Sequence, residues 1–286
     1  MMPMTDDAVN AGPDRTRLPL DVDTVSAELQ DALLAEVDYE RELHALQEIG
    51  ALLSQATGMH APTAYPALCG PRVITTAFIE GEKITTVLDR LQRADEQGDA
   101  EARARMSAIL GRLLEAYLRQ VLCGPSFQAD PHPGNLLVQS DDSVVILDYG
   151  CARELDALTQ RRYFTLLHSS LTGDRDGAAR VLFDLGFTTR SGKPDTLLTF
   201  TDALLGELRG AFTGTLHWPT QQELFTRLAA LRESLAADPV QQIPEHFVLL
   251  ARVFATLGGL FTHYRPDLDV MTHIAPVLAE AATKHL

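Results

Sequence analysis

The chain has 286 residues and a formal charge of −15, from 24 Lys+Arg against 39 Asp+Glu. Hydrophobic residues make up 45% and charged residues 22%, a balance that builds a packed core and excludes a chain disordered throughout. The acidic excess argues against a nucleic-acid partner, whose phosphates need a basic surface, and against docking by charge onto anionic lipid. Cys69, Cys123 and Cys151 are odd in number and widely spaced, which points to a reducing, cytoplasmic interior. The stretch from Met1 to Leu18 carries Asp6, Asp7 and Asp14 and no apolar core, so it is not read as a secretory signal.

In chain order, residues 1–19 are expected to be a flexible tail. From Val22 to about Ser54 the spacing of Val25, Leu29, Leu33, Leu34 and Val37 predicts a helix, broken by Gly58. Pro62 to Leu68 and Arg72 to Ile79 read as two short strands around a Cys69-Gly70-Pro71 turn. A short helix is expected over 84–91 and a charged loop over 93–99. The apolar series from Met106 to Leu122 predicts a helix that Cys123-Gly124-Pro125 stops. Leu136 to Val138 and Val144 to Leu147 read as a hairpin closed by Gln139 to Ser143. After Asp156 the pattern is helical over about 157–171, 174–185, 195–211, 219–235, 244–263 and 270–285. Asp174 and Asp195 are expected N-caps, and Pro219 suits a helix start. The apolar run Phe247 to Phe261, interrupted by Arg252, reads as a buried helix too short to span a bilayer.

The segment Gln128-Ala129-Asp130-Pro131-His132-Pro133-Gly134-Asn135 carries the most chemistry. Two prolines bias Asp130 and His132 away from helix, so the loop is stiff and holds its side chains in place. The second hairpin strand ends in Asp148-Tyr149-Gly150. Asp130, Asn135 and Asp148 can therefore converge, and they are the oxygen donors that Mg²⁺ prefers. Protein kinases place an Asn five residues after the catalytic Asp and follow it with Asp-Phe-Gly. In that frame Asp130 orients or deprotonates the attacking group, while Asn135 and Asp148 hold Mg²⁺ on the phosphates of ATP. His132 raises a metal-hydrolase alternative, which no HExxH segment supports. Upstream, Glu36 and Glu40 share one helix face, as do Asp38 and Glu42. A kinase needs a glutamate here to hold the strand lysine that clamps the phosphates.

Taken together, Glu36-Val37-Asp38-Tyr39-Glu40-Arg41-Glu42, Val73 to Gly81, Ala129 to Asn135 and Ile146 to Gly150 resemble the ABC1/UbiB/COQ8 family of AarF-domain atypical kinases. The region from Phe247 to Asp269, with Arg252, Gly258, Pro266 and Asp267, resembles the family's C-terminal helices. The resemblance implies an α+β, mostly α, protein-kinase-like fold with a helical C-lobe over 81–286. It implies a partial N-lobe of one helix and two strands over 20–80. It assigns Glu36 and Asp38 to the family's ExD motif and Glu42 to the glutamate that pairs with the lysine. Ala77, Phe78, Ile79 and Glu80 fall on the nucleotide hinge. It further implies ATP and Mg²⁺ as cofactors and a link to isoprenoid-quinone (ubiquinone) biosynthesis or lipid homeostasis, with peripheral membrane or quinone-pathway partners.

Three features shape these expectations. The family's KxGQ segment, alanine-rich nucleotide loop and strand lysine precede the ExD helix, whereas only Lys83, Lys193 and Lys284 are lysines here. Weak or absent Mg-ATP binding by this chain is therefore expected, and the missing strands are read as a misassigned start, a split gene with a second chain supplying them, or a real loss. Gln128 also stands where the family commonly has histidine. Gly150 is followed by only five residues before the next helix, with no Ala-Pro-Glu. That short segment favours a small-molecule or lipid-like acceptor, or ATP hydrolysis, over a peptide. The alternatives are a pseudokinase-like binding subunit and a small-molecule phosphotransferase of the aminoglycoside- or choline-kinase type.

Overall fold

The computed structural model describes residues 38–55, 58–212 and 221–285. The tail over 1–19, the helical pattern from Val22 to Val37, Glu36 and Pro219 lie outside the described residues. The fold is α+β and mostly α, with short strands in small sheets.

Helix α1 (Tyr39–Leu53) begins directly after Asp38, whose carboxylate accepts the Arg41 N–H at 3.2 Å. Asp38 is thus an N-cap and not an interior residue of the helix, because its short side chain satisfies an N–H that a helix start leaves open. Ala45, Leu46, Ile49 and Leu53 form the buried stripe of α1.

The two strands expected over 62–68 and 72–79 are corrected by the structure. The segments do run antiparallel: Tyr65 N–H donates to Thr75 O at 2.9 Å and Ala77 N–H to Thr63 O at 2.8 Å, around a single bridge between Ala64 and Thr76. Neither becomes a strand. Pro62 and Pro66 have no N–H for a ladder, and Pro66–Leu68 winds into a 3₁₀ turn. Beyond the Cys69-Gly70-Pro71 turn, the Cys69 Sγ takes the Thr75 N–H at 3.2 Å and adds a local tie. The strands that do flank this region are β1 (Met59–His60) and β2 (Glu82–Lys83), which the sequence did not announce.

Helix α2 (Ile84–Glu96) runs past the expected end at Leu91, since Gln92, Arg93, Ala94 and Glu96 are good helix formers and Ala94 packs against the core. Helix α3 (Ala100–Cys123) spans 24 residues and forms the spine of the core. Asp99 caps it, accepting the Glu101 and Ala102 N–H groups at 3.0 and 3.1 Å, which starts the helix earlier than Met106. Gly124 ends it by donating to Arg119 O and Gln120 O.

After α3 come β3 (Ser126–Gln128), β4 (Leu136–Val138), β5 (Val144–Ile146) and β6 (Ala152–Glu154). β4 and β5 form the expected hairpin. Its turn puts Asp142 at φ 62°, a left-handed conformation that Asp tolerates. Arg105 of α3 grips both Asp142 carboxylate oxygens, at 2.8 and 2.7 Å, and Arg112 donates to the Asp142 carbonyl. The first sheet has the order β1-β5-β4-β2, with β1 parallel to β5 and the other pairs antiparallel. β3 pairs antiparallel with β6 in a second sheet.

The remaining helices follow the expected spans closely: α4 (Ala157–Thr172), α5 (Arg175–Asp184), α6 (Asp195–Phe212), α7 (Gln221–Ala237), α8 (Glu245–Tyr264) and α9 (Val270–His285). A small sheet pairs β7 (Thr188–Thr189) with β8 (Val240–Gln242). Asp174 caps α5, accepting the Gly177 N–H at 2.8 Å. Asp195 is the first residue of α6 and not its cap. At 20 residues α8 is long and apolar enough to cross a membrane, contrary to the short run read from sequence. Here Phe247, Leu250, Val253, Leu257, Leu260, Phe261 and Tyr264 of α8 are buried in the fold. α9 lies along α3 and closes its end: Lys284 Nζ donates to Cys123 O at 2.8 Å and to Gln160 Oε1 at 3.0 Å.

Candidate active site

The loop between β3 and β4 is fixed from beneath by Gln128, which is fully buried. Its N–H donates to Gln120 Oε1 at 2.9 Å. Its Oε1 accepts the Tyr117 hydroxyl at 2.9 Å and the Asp130 N–H at 3.1 Å, and its Nε2 donates to Asp130 O at 2.6 Å. Burial holds the Tyr117 phenol well above its ordinary range, so it stays a donor. Gln128 therefore clamps the backbone of Asp130 on both sides. Further along, His132 N–H donates to Asp130 O at 2.7 Å, and His132 Nδ1 accepts the Gly134 N–H at 3.0 Å. His132 thus caps the Pro133–Asn135 3₁₀ turn. Asn135 N–H donates to His132 O at 2.8 Å, and Asn135 O accepts the Leu147 N–H at 2.9 Å. That last bond ties the loop to the end of β5, one residue before Asp148.

The structure brings Asn135 and Asp148 together, with Asn135 Nδ2 at 3.3 Å from Asp148 Oδ2. Asp148 Oδ1 accepts the Gly150 N–H at 2.9 Å, which holds the carboxylate over the Asp-Tyr-Gly turn. Tyr149 is buried beneath it, 1% exposed. An amide and a carboxylate side by side are hard oxygen donors, and this set fits Mg²⁺ with its other positions left to water and phosphate. The amide orientation follows from the hydrogen bond to Asp148, and a cation would take its oxygen instead. Asp130 flanks the same turn: burial, with Asp130 and Asp148 beside it, pushes the Cys151 thiol up. Arg252 and Arg153 partly offset that effect.

The Asp130 carboxylate has a partner that sequence reading missed. Arg252 Nη2 of α8 stands 2.7 Å from Asp130 Oδ1. The guanidinium is pushed further up by this contact. The signal was visible in the chain as one charge inside the apolar run Phe247 to Phe261, but its target was not.

Glu42 reaches the site without a lysine. Its Oε1 accepts the Tyr149 N–H at 3.5 Å, the limit of a hydrogen bond. The three lysines lie elsewhere, in β2, after β7 and at the end of α9. Half-burial and the Asp148 charge raise the Glu42 carboxyl, and the Tyr149 N–H opposes them. The folded chain holds this proton to a higher pH than the unfolded chain does. Its contribution to stability is therefore fully present below the ordinary glutamate range and is lost as pH rises through the folded value. Glu42→Gln, measured in metal-free buffer, is expected to raise Tm at pH 7 and to change it little at pH 4. An equal change at both pH values would remove the titration as the cause.

Ala77, Phe78, Ile79 and Glu80, the residues expected at the hinge, lie on a segment without regular secondary structure before β2. Ala77 N–H donates to Thr63 O, Phe78 is 90% exposed, and Glu80 O accepts from Gln139 Nε2 at 3.3 Å. Asp38 sits at the start of α1 as its cap.

A long helix, a rigid Asp…Asn loop, a hairpin and Asp-Tyr-Gly, followed by packed helices, define a kinase-like domain. The chain belongs to the ABC1 atypical kinase-like domain family, whose model matches residues 2–182. It is 28% identical over 251 residues to Protein ACTIVITY OF BC1 COMPLEX KINASE 7, chloroplastic, of Arabidopsis thaliana, covering 87% of this chain and 34% of that protein. It is 23% identical over 264 residues to the Arabidopsis thaliana ACTIVITY OF BC1 COMPLEX KINASE 1, chloroplastic, covering 92% and 36%. The chain thus spans about a third of the length of the curated relatives it matches. A solved complex of Rv3197 with erythromycin from Mycobacterium tuberculosis superposes with a TM-score of 0.57 at 15% identity. That match covers 90% of this chain and 62% of the other, and it shows the fold.

Proposed function

We propose that the chain is the phosphate-handling part of an ABC1-type atypical kinase or ATPase that uses Mg-ATP. The observation that carries this is the pairing of Asn135 with Asp148 on the Asp-Tyr-Gly turn, where the charges of Asp148 and of Asp130, whose backbone Gln128 clamps, both act on Cys151. In this reading Asn135 and Asp148 hold Mg²⁺, which when bound offsets charge on the phosphates. Asp130 accepts the proton of the attacking hydroxyl or water. Ala77, Phe78, Ile79 and Glu80 border the nucleotide, and Glu36 and Asp38 serve as the family's ExD pair.

The acceptor is a small or lipid-like molecule. The segment after Gly150 pairs at once with β3, Gln128 facing Ala152 and Ser126 facing Glu154, so no long loop is available as a peptide platform. A role in isoprenoid-quinone biosynthesis or lipid homeostasis, at a membrane periphery, accompanies the family resemblance.

One observation favours a second reading, a binding subunit that works with another chain. Glu42 is held by the Tyr149 N–H, and no lysine of this chain meets it. A partner that brings a lysine to Glu42 would complete the phosphate clamp.

A thermal-shift titration of the intact chain with ATP, with and without Mg²⁺, tests the proposal. Weak, saturable binding that requires Mg²⁺ is expected, and Asp148→Asn should abolish it. At ten times Kd the ligand stabilises by about 1.4 kcal/mol, roughly 3–6 °C for a chain of this size. No shift at any concentration, or a shift indifferent to Mg²⁺ and to Asp148→Asn, would leave the binding-subunit reading in its place.

A further inference from the structure

Asp130 is anchored twice. Gln128 fixes its backbone, and Arg252 fixes its side chain from α8, far along the chain. Arg252 is the single charged side chain between Phe247 and Phe261, and its neighbours Leu250 and Val253 are buried. The helix is therefore held in the core by its apolar face, and the guanidinium arrives at the loop on a rigid support. The arginine is 50% exposed at its side chain and Asp130 28%, so the pair contributes little to stability. Its consequence lies in where the carboxylate points. The contact of Oδ1 with the guanidinium at 2.7 Å favours one orientation of the carboxylate and leaves Oδ2 to accept a proton.

We infer that Arg252 is the positioning residue of Asp130, dividing its two oxygens into one that is tethered and one that works. This rests on the reading of Asp130 as the proton acceptor. Arg252 touches no reacting atom in this scheme and acts through Asp130 alone. Arginine suits the task because its planar group holds its direction, whereas the lysine ammonium is a mobile point charge.

Phosphate release from Mg-ATP by the full chain tests the inference, with Arg252→Gln, Arg252→Lys and Arg252→Gly compared. Arg252→Gln is expected to lower kcat by about 10–100-fold, the effect of a misplaced group, and to leave KM for the nucleotide within about twofold. Arg252→Lys should recover part of the loss. Added guanidinium ion should recover part of the Arg252→Gly loss and do nothing for Asp130→Asn. Denaturation midpoints should stay near that of the wild type, which separates positioning from folding. A wild type without Mg-dependent nucleotide binding overturns the functional reading, and this inference with it. A wild type that binds and turns over while Arg252→Gln matches it overturns this inference alone. So does a chain that binds nucleotide and turns none over, because Asp130 then has no step to be positioned for.

Discussion

Asp130→Asn is expected to lower turnover by about 10²–10⁴-fold while nucleotide affinity stays within about twofold, because in the proposed role it removes the proton acceptor, at the cost of one half-exposed ion pair. Asparagine has the same shape and keeps an oxygen for the Arg252 contact. The backbone of residue 130 stays clamped by Gln128, whose two bonds go to main-chain atoms and do not depend on the side chain. Asn135 and Asp148 are tied to each other and to Gly150, so that pair is untouched. Losing a half-exposed ion pair costs at most about 1 kcal/mol, so a folding defect would not mask the kinetic one. Steady-state kinetics with a parallel nucleotide titration measures both quantities. A variant with unchanged kcat would show that the attacking group needs no base at this position.

The second large effect concerns the spine of the fold. Leu113→Ala is expected to destabilise the chain by roughly 3–5 kcal/mol. Leu113 is fully buried on α3, the helix against which α2, α4 and α9 pack. The lost transfer energy of the side chain adds to that of a void that three helices cannot collapse to fill. Domains have only about 5–15 kcal/mol in total, so a large share of the stability would go. Urea unfolding should show a lower midpoint at an unchanged slope. As a control, Leu158→Ala in α4, where the side chain is 56% exposed, should cost within about 0.5 kcal/mol. A loss below about 1 kcal/mol at Leu113 would mean that the neighbouring helices repack.

Much of this was legible in the chain because the signals are local. The α3 series repeats at three and four residues, and Cys123-Gly124-Pro125 marks its end. The Asp130 loop owes its stiffness to prolines next to the residues they constrain. Asn135 and Asp148 could be paired on paper because a tight hairpin joins them, and the family resemblance rests on the same strings. What stayed hidden depends on contacts across the fold. The β-branched run Val73 to Thr76 looked like a strand, but its partner segment carries Pro62 and Pro66 and supplies too few N–H groups for a ladder. Asp38 belongs to a motif by spacing, whereas its geometry is that of a cap. Gln128 looked like a departure from a pattern and is a buried clamp for the loop. Arg252 read as an interruption of an apolar helix and as part of the resemblance to the family's C-terminal helices, but no periodicity links it to Asp130.

The pairing of β6 with β3 has a consequence for control. In many kinases the stretch after the Asp-aromatic-Gly turn has slack, and phosphate added to it orders the loop and switches the enzyme on. Here Ala152, Arg153 and Glu154 are laced residue by residue to Gln128, Phe127 and Ser126, and Asp156 immediately caps the next helix. A ribbon paired along its length and capped at its end leaves little slack for an added phosphate to order. Control of the proposed site by ordering of this segment is therefore disfavoured, and control through elements outside the ribbon is expected instead.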